Sequence, residues 1–336
     1  MISIKSRKKL FKVILSDYQT ILIIFICVII AALIFNPSRY SKFTQDGIIV
    51  WGTVILPATF PFLFFSLILI ELGMAQKISK IFYPATFKLF KTSGISAYIF
   101  FMSVISGYPI GAKLIEEFYK KGVIDKNEAA RISSFCSMAS PMFVLGSVGI
   151  GLLKSYAAGL ILLVSQIISS VINGIIFRNY KSKDFQIKKT ELPSPQNADN
   201  ILSECIYNAV ISVLKVGGFI IIFYMLTELL NDIYILFPIK FIFEKLGLGV
   251  FSEGLARGLV EVSNGCLHIS SQSGNLILKT ALCGFIISWG GLSVHMQNLT
   301  FLTKAEIKAG FYTLTKTVQS AIMTIIVLAL SMIFLR

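Results

Sequence analysis

The chain has 336 residues, of which 55% are hydrophobic and 14% charged, with a formal net charge of +14 and a mean hydropathy of +0.78. This composition is too apolar and too poor in charge for one or two soluble domains. The lysines cluster in short loops and form no basic stripe with interleaved aromatic residues, which argues against nucleic acid as a partner and favours a lipid bilayer.

Long stretches without Asp, Glu, Lys or Arg predict transmembrane helices, because a helix needs roughly 20 apolar residues to cross the core of a bilayer. Basic residues precede the first stretch, as in a signal peptide, but no small-residue cleavage site follows, so we expect an uncleaved first helix. Six stretches and a seventh that contains Lys215 are candidate spans, at residues 18–38, 47–70, 132–153, 155–177, 206–230, 280–303 and 317–335.

A helix interruption is predicted at residues 106–113, which follow a charge-free stretch. Proline removes a backbone donor and glycine loosens the backbone. At membrane depth a broken helix is tolerated where it is buried in protein or lines a cavity, and in transporters such breaks commonly mark the binding site. The candidate substrate-binding residues of this segment are Ser106, Gly107, Tyr108, Pro109, Gly111 and Lys113.

Lys113 has two interpretations. It is either an electrostatic anchor for an anionic substrate, beside N–H groups exposed at the helix break, or an ordinary lysine at the cytoplasmic edge of the membrane. Asp125 and Glu128 follow it with capping-box spacing. This spacing predicts a cytoplasmic helix that begins at about Lys126 and leads into the next span.

Ser140 and Pro141 predict a second break, inside the span at 132–153, since Pro141 frees a carbonyl about one turn earlier. Ser140, as a cavity-lining residue, and Pro141 are candidate substrate-binding residues, whereas the glycines that follow favour helix packing. After this span, a polar and basic linker at 178–204 contains Pro193 and Pro195 and is the clearest boundary in the chain.

A second interrupted segment is predicted at residues 263–266, and Glu261 precedes it. An intramembrane carboxylate is costly and is therefore a functional candidate. Alternatively, Glu261 pairs with Arg257 one turn earlier and only stabilises the helix. Asn264 and Gly265 complete the candidate site in this segment.

Three polar residues, Ser293, His295 and Gln297, follow Gly290-Gly291 in a charge-free region. We include all three among the candidate substrate-binding residues. His295 is either a proton carrier or a histidine with satisfied hydrogen bonds near the membrane interface.

The positions of lysine and arginine predict a cytoplasmic N-terminus, because most of them then fall in cytoplasmic loops. Residues 47–177 and 205–335 are equally long, and each contains a long span, an interrupted segment and two further spans. Three crossings per half make the second half inverted, as in many secondary transporters. We therefore predict an all-α polytopic membrane protein with about seven transmembrane helices plus two interrupted or re-entrant segments in two inverted repeats. The predicted divisions are an N-terminal region with the first helix, a first repeat, a cytoplasmic linker and a second repeat, at residues 1–45, 46–177, 178–204 and 205–336.

The chain lacks the motifs of nucleotide-binding loops, zinc proteases, serine hydrolases and paired-aspartate intramembrane enzymes. Its five cysteines are scattered, without a Cys-x-x-Cys pair. We expect no enzymatic activity, no cofactor and no metal.

Several runs of the sequence, over about residues 45–335, resemble the YlbJ-type sporulation integral membrane proteins. The resemblance implies nucleoside-recognition (Gate) domains, related to part of the concentrative nucleoside transporters, and a role in spore maturation in an endospore-forming bacterium. The best-known members of the family move dipicolinic acid from the mother cell across the outer forespore membrane. The runs that carry the resemblance are Trp51 with Leu56-Pro57 and Phe60-Pro61-Phe62, residues 106–113, Glu128-Ala129-x-Arg131, Ser140-Pro141 with Gly146-x-x-Gly149, and Gly290-Gly291-Leu292-Ser293-Val294-His295-x-Gln297.

The resemblance makes a transporter of a small anionic solute, dipicolinate, the expected function. Dipicolinate is a planar aromatic dianion at neutral pH, which suits Lys113, a set of hydroxyl and amide groups, and Tyr108 as an aromatic wall. Glu261 does not suit a dianion unless it is protonated or paired with Arg257. A structural or assembly protein of the developing spore, a nucleoside-type transporter and a passive channel are the alternatives, and a homo-oligomer is compatible with each.

Overall fold

The computed structural model describes residues 18–182 and 201–335. Throughout these residues the chain consists of helices joined by short connections, without strands, which confirms the all-α class. The predicted basic N-terminus before residue 18 and most of the predicted linker 178–204 lie outside the described residues. In chain order the α-helices are α1 (Tyr18–Phe35), α2 (Pro37–Val50), α3 (Leu56–Glu71), α4 (Met74–Phe90), α5 (Ile95–Ser106), α6 (Ile110–Lys120), α7 (Lys126–Ser133), α8 (Tyr156–Phe177), α9 (Ile201–Asp232), α10 (Phe237–Lys245), α11 (Ser252–Gly258), α12 (Val262–Ser271), α13 (Leu276–Trp289), α14 (Gly291–Leu302) and α15 (Ala309–Phe334).

Four helical stretches in the described residues are long and apolar enough to cross a membrane: α8, α9, the α13–α14 pair and α15. Two bent pairs reach that length only together, α1 with α2 at 106° and α4 with α5 at 93°. The described residues therefore contain four to six such helices, fewer than the predicted seven or so. The difference arises because the chain bends or unwinds within several predicted spans. α2 begins with Pro37 in its first turn, which explains why the chain turns after Asn36.

The surface has the polarity expected of a protein in lipid. Large apolar side chains such as Ile34, Ile325 and Phe334 are more than half exposed, whereas polar groups such as Ser169 and Asn173 are fully buried. A water-soluble protein rarely exposes apolar surface on this scale. The chain is thus an all-α polytopic membrane protein in contact with the lipid bilayer.

The predicted helix start near Lys126 is confirmed. Asp125 precedes α7 and accepts hydrogen bonds from the backbone N–H groups of Asn127 and Glu128, at 2.7 and 2.8 Å. The reciprocal half of the capping box is not formed, because the Glu128 carboxylate accepts a 2.6 Å bond from the N–H of Ser93. The same acid therefore fixes the loop after α4 to the beginning of α7.

The predicted span at 132–153 is interrupted next to Ser140-Pro141, and the interruption is longer than the predicted break. α7 ends at Ser133, residues 134–140 are not helical, and a π-helix follows at Met142–Leu152. The hydroxyls of Ser133 and Ser134 bond back to carbonyls three residues earlier, at 2.7 Å each, which competes with continuation of the helix. Pro141 then starts the π-helix without needing a donor.

In the first half of the chain, the break between α5 and α6 lies against the unwound segment 134–140. The N–H of Tyr108 donates to the carbonyl of Met138 at 2.7 Å. The hydroxyl of Ser103 donates to the carbonyl of Cys136 at 2.9 Å. Backbone groups released by unwinding in one segment therefore find partners in the other.

In the second half, the break between α11 and α12 lies against the break between α13 and α14. The N–H groups of Leu292 and Ser293 donate to the carbonyls of Leu259 and Val260, at 2.9 and 3.0 Å. Gly290, with φ 90°, provides the turn between α13 and α14. The two halves thus contain the same arrangement of paired breaks, and their assignment as inverted repeats stays a prediction.

The second interruption lies earlier than predicted. The chain unwinds at residues 259–261, and the predicted segment 263–266 belongs to α12. Gly265 serves helix packing, because a Cβ at this position would lie 2.7 Å from the backbone nitrogen of Gly258 in α11. An Asn-Gly pair was therefore a misleading signal for the break.

The two halves share part of their core. α15 packs against both α8 and α13, and buried side chains such as Leu162, Cys283 and Met323 belong to one cluster. The paired breaks of the two halves are held on either side of this common framework, which positions the site described below.

Gly107 offers a test of the paired breaks. It has φ 76°, and a Cβ at this position would lie 2.6 Å from the backbone nitrogen of Ser140, whereas Gly122 has φ 69° with nothing within 4 Å. Gly122→Ala incurs left-handed strain of about 1–2 kcal/mol. Gly107 has ψ −176°, a backbone region that essentially only glycine adopts, so Gly107→Ala incurs strain of about 1–3 kcal/mol. Only Gly107→Ala adds overpacking, which typically costs about 1–3 kcal/mol. We expect a clearly larger fall in the thermal unfolding temperature in detergent for Gly107→Ala, and equal shifts would contradict the close approach of the two breaks.

Candidate functional site

A cavity of about 50 Å³ lies where the unwound segments of the two halves meet. In this conformation it has room for a few water molecules and is smaller than the roughly 300–1,000 Å³ of small-molecule sites. We call it the central cavity. It brings together six of the predicted site residues: Ser106, Tyr108, Ser140, Glu261, Ser293 and Gln297.

Polar groups of the central cavity come from both halves. Ser106 at the end of α5 donates to the hydroxyl of Ser66 in α3 at 2.9 Å. On α14, Ser293 and Gln297 lie one turn apart, and the amide nitrogen of Gln297 bonds to the Ser293 hydroxyl at 3.3 Å. The amide oxygen of Gln297 is buried without a hydrogen-bond partner among the described residues. A buried amide oxygen in this state marks a place for a polar ligand or water.

Glu261 contributes the carboxylate of the central cavity. It has extended backbone angles and caps α12, where its carboxylate accepts a 2.8 Å bond from the N–H of Asn264. The residue is only 3% exposed. In the described part of the chain no lysine or arginine forms an ion pair with it. The positive end of the α12 dipole is the main group that stabilises its charge.

The predicted pair between Arg257 and Glu261 is not formed. Arg257 instead bonds to Glu253 on its own helix at 2.8 and 3.0 Å, and to Glu228 in α9. The chain leaves the helical path after Gly258, so the i,i+4 relationship no longer places Glu261 beside Arg257. Asn264, another predicted site residue, donates to Glu228 at 3.2 Å and does not line the cavity.

The remaining glycines and Pro141 position the site without lining it. Gly107 allows the approach to Ser140, and a side chain at Gly111 would collide with the carbonyl group of Cys136. Gly265 allows α12 to pack on α11, and Pro141 begins the π-helix. These residues were predicted to bind substrate, and the structure gives them packing roles.

His295 lies away from the central cavity. Its ring packs between Trp289 and Tyr312, with centroids 4.5 and 5.3 Å away, and its Nδ1 lies 2.8 Å from the carbonyl of Gly291. Because Ser293 and Gln297 share one face of α14, a residue two positions from each points to the opposite face. The bond at Nδ1 fits the interpretation of His295 as a hydrogen-bonded histidine. Its Nε2 is buried without a hydrogen-bond partner among the described residues.

A second cavity, of about 270 Å³, adjoins the central one and shares Val216 and Gln297 with it. We call it the lysine cavity, because Lys113 and Lys215 both line it, together with Pro109. Neither lysine makes an ion pair or a hydrogen bond with another residue in the described ranges. The sequence treated Lys215 only as an interruption of a span, although an intramembrane lysine is itself a signal for function.

A third cavity, of about 560 Å³, adjoins the central cavity and shares Ile55, Phe143 and Ser263 with it. Apolar side chains and the glycines of the π-helix Met142–Leu152 form most of its walls. The central cavity is therefore flanked by one cavity with two cations and another that is largely apolar.

Lys316 is a buried cation that the sequence analysis assigned to a loop. The predicted span began at residue 317, but α15 begins at Ala309, which places Lys316 two turns inside the helix. Its ammonium donates to the carbonyl of Ser137 and to the amide oxygen of Gln319, at 2.9 Å each. It thereby ties the unwound segment 134–140 to α15, with the hydroxyls of Tyr312 and Ser137 2.8 Å apart beside it.

Gln166 in α8 satisfies both backbone groups of Ala139 in the unwound segment. Its amide nitrogen donates to the Ala139 carbonyl at 2.9 Å, and its amide oxygen accepts from the Ala139 N–H at 3.1 Å. This side chain takes the place of the helical bonds that the segment lacks. This role of Gln166 is not visible in the sequence, because a single glutamine in an apolar span gives no indication of its partner.

These observations define an integral membrane protein whose paired helix breaks surround a polar cavity. Among curated proteins, the chain is similar to the sporulation integral membrane protein YlbJ of Bacillus subtilis (strain 168). The two are 26% identical over 342 residues, which cover 94% of this chain and 84% of that protein. No protein-family model matches the chain, and no solved structure matches it. The similarity over nearly the whole chain supports the resemblance that the sequence motifs carry.

Gln166→Leu tests how the unwound segment is held. The substitution leaves the buried N–H and C=O of Ala139 without partners, and each unsatisfied group costs about 1–3 kcal/mol. We expect a loss of about 2 kcal/mol or more, measured as a lower unfolding temperature in detergent. Gln297→Leu is the matched control, since it removes one long side-chain bond on α14. Equal losses in the two variants would contradict the role given to Gln166.

Proposed function

We propose that the chain is a YlbJ-type sporulation membrane protein that transports a small anionic solute. Dipicolinate, moved from the mother cell toward the forespore, is the proposed substrate. One observation carries the proposal: Lys113 and Lys215 line a common cavity and form no ion pair in the described chain, next to a cavity formed by broken helices. Glu117, one turn from Lys113, lies close enough to interact with it electrostatically but does not line the cavity.

The electrostatic argument follows from the cost of unpaired charge. A lysine held in an apolar environment without a counter-charge is unfavourable, and an anionic ligand removes this cost. Hydrogen bonds between an ammonium and a carboxylate are roughly twice as strong as neutral ones. Two lysines on one cavity therefore favour a solute with two carboxylates over a neutral one.

The rest of the lysine cavity suits a planar aromatic dianion. Phe219 and Phe301 provide aromatic surface for the ring. Asn208, Ser212 and Thr300 provide hydrogen-bonding groups around it. A nucleoside would fill the same space but would leave the two lysines without counter-charges, which makes the nucleoside-type alternative the weaker one.

The order of the cavities suggests a route. The central cavity shares residues with the lysine cavity on one hand and with the apolar cavity on the other. With the N-terminus in the cytoplasm, the positive-inside rule places Lys113 near the cytoplasmic face. A solute would then be collected at the lysine cavity and pass through the central cavity between the paired breaks, which are the elements most free to rearrange.

Substitution of the two lysines tests the proposal. In proteoliposomes with purified protein, Lys113→Gln and Lys215→Gln should each lower the rate of uptake of labelled dipicolinate at low concentration by about tenfold or more, since a hydrogen bond to a charged group is worth about 1.5–3 kcal/mol. Lys120→Gln is the control on the same helix as Lys113, because the Lys120 side chain is exposed and paired with Glu116.

The outcomes separate the alternatives. Uptake of labelled uridine in place of dipicolinate would favour the nucleoside-type transporter. Folded wild-type protein that takes up neither solute would favour a structural or assembly role. A loss of uptake that follows a loss of folded protein, seen as a lower unfolding temperature, would remove the support that the lysines give to the proposal.

A further inference from the structure

The Glu261 carboxylate has no role in holding an anion, yet it lies in the central cavity. It is almost fully buried, caps α12 at the helix break, and has no ion-pair partner among the described residues. A carboxylate in this position is costly to keep, because water is excluded and only the α12 dipole and N–H groups oppose its charge. Helix capping alone does not require it, since Ser, Thr or Asn would cap the helix without a charge.

The groups around Glu261 come from several elements. Tyr108 of the first break and Cys266 of α12 lie close enough to interact electrostatically with it. From α9, Tyr224 faces the same region. These are neutral groups in their ordinary states, so they neither balance the carboxylate nor add to its charge.

Arg257, the cation of the neighbouring helices, is already paired. Glu228 of α9 and Arg257 of α11 pair with each other, and Arg257 also pairs with Glu253. Asp46 of α2 interacts electrostatically with Tyr224. No cation in this set is available to Glu261, which distinguishes it from the acids in ion pairs.

An anionic solute in the central cavity would meet the negative charge of Glu261. Like charges at close range disfavour one another, so the solute binds better when Glu261 carries a proton, and by thermodynamic linkage Glu261 binds its proton better when the solute is present. We propose that Glu261 is the proton-binding site of a proton–anion symport, carrying one proton in each transport cycle. This inference rests on the proposed function.

The proton transfer is simple to write. On the loading side a proton from water forms an O–H bond with one carboxylate oxygen of Glu261, and the carboxyl group becomes neutral. The other oxygen continues to accept the N–H of Asn264, so the cap on α12 is kept. After the cavity opens to the other side and the anion leaves, the O–H bond breaks and the proton returns to water. The solute and the proton move in the same direction.

The test follows proton influx and solute uptake together. Wild-type protein is reconstituted into liposomes that contain a pH-sensitive dye, and labelled dipicolinate is added with and without an inward proton gradient. We expect the lumen to acidify during uptake and the gradient to accelerate uptake. Glu261→Gln keeps an oxygen to accept the Asn264 N–H but has no ionisable group. We expect it to retain exchange of labelled for unlabelled dipicolinate, without acidification and without a response to the gradient.

Controls make the result specific. Glu306→Gln removes an exposed carboxylate that lines none of the three cavities and should behave like the wild type. Liposomes without protein measure passive movement of the acid. Glu261→Asp retains a titratable group and should retain acidification at a lower rate, which separates the loss of a proton site from damage to the cavity.

Three results would overturn the inference while leaving anion transport intact. They are wild-type uptake without acidification, uptake driven by a sodium gradient alone, and acidification that persists in Glu261→Gln. If the wild-type protein takes up no dipicolinate at all, the proposed function fails, and this inference fails with it.

Discussion

The requirement that buried backbone groups have hydrogen-bond partners governs the arrangement of this protein. A chain that unwinds in the apolar core of a membrane loses the internal bonds of a helix and has little water to replace them. Here each unwound segment lies against another of the same half, as the bonds of Tyr108 to Met138 and of Leu292 to Leu259 show. Side chains supply what remains, with Gln166 serving Ala139 and Lys316 serving the carbonyl of Ser137.

Much of the fold was predictable from the sequence because it depends on local signals. Apolar length located most of the spans, Asp125 marked the start of α7, and Gly107 with Pro109 located the first break. Ser140-Pro141 marked the end of the unwound segment 134–140, but the length of the segment was not predictable, since it is held by Gln166 and Lys316 from distant parts of the chain. The second break was misplaced for a related reason, because Glu261 caps the helix that follows it, and capping depends on side-chain direction more than on composition.

The candidate site was only partly predictable, because residues that line a cavity and residues that pack helices have similar side chains. Residues that face a cavity and residues that allow two backbones to meet are both small or polar and both cluster at breaks, so the sequence does not separate Ser140 from Gly111. Helical periodicity does separate Ser293 and Gln297 from His295 once α14 is known to begin at Gly291. Lys215 and Lys316 were not predicted as site residues, although Lys215 lines a cavity and Lys316 is buried. A lysine near the end of a span is commonly interpreted as a residue of the membrane edge.

The contacts between the halves differ from those within them. The backbone bonds at the paired breaks join segments of the same half, whereas the central cavity lies between residues of both halves. Among the contacts that cross between the halves, those of Ser137 with Lys316 and Tyr312 are in the packed core. A change in the cavity therefore need not break the bonds that satisfy the unwound backbone, provided that each pair of breaks moves as a unit. Because satisfied backbone groups and a changeable cavity are otherwise in conflict in an apolar medium, this separation lets helix breaks persist at membrane depth without fixing the shape of the cavity between them.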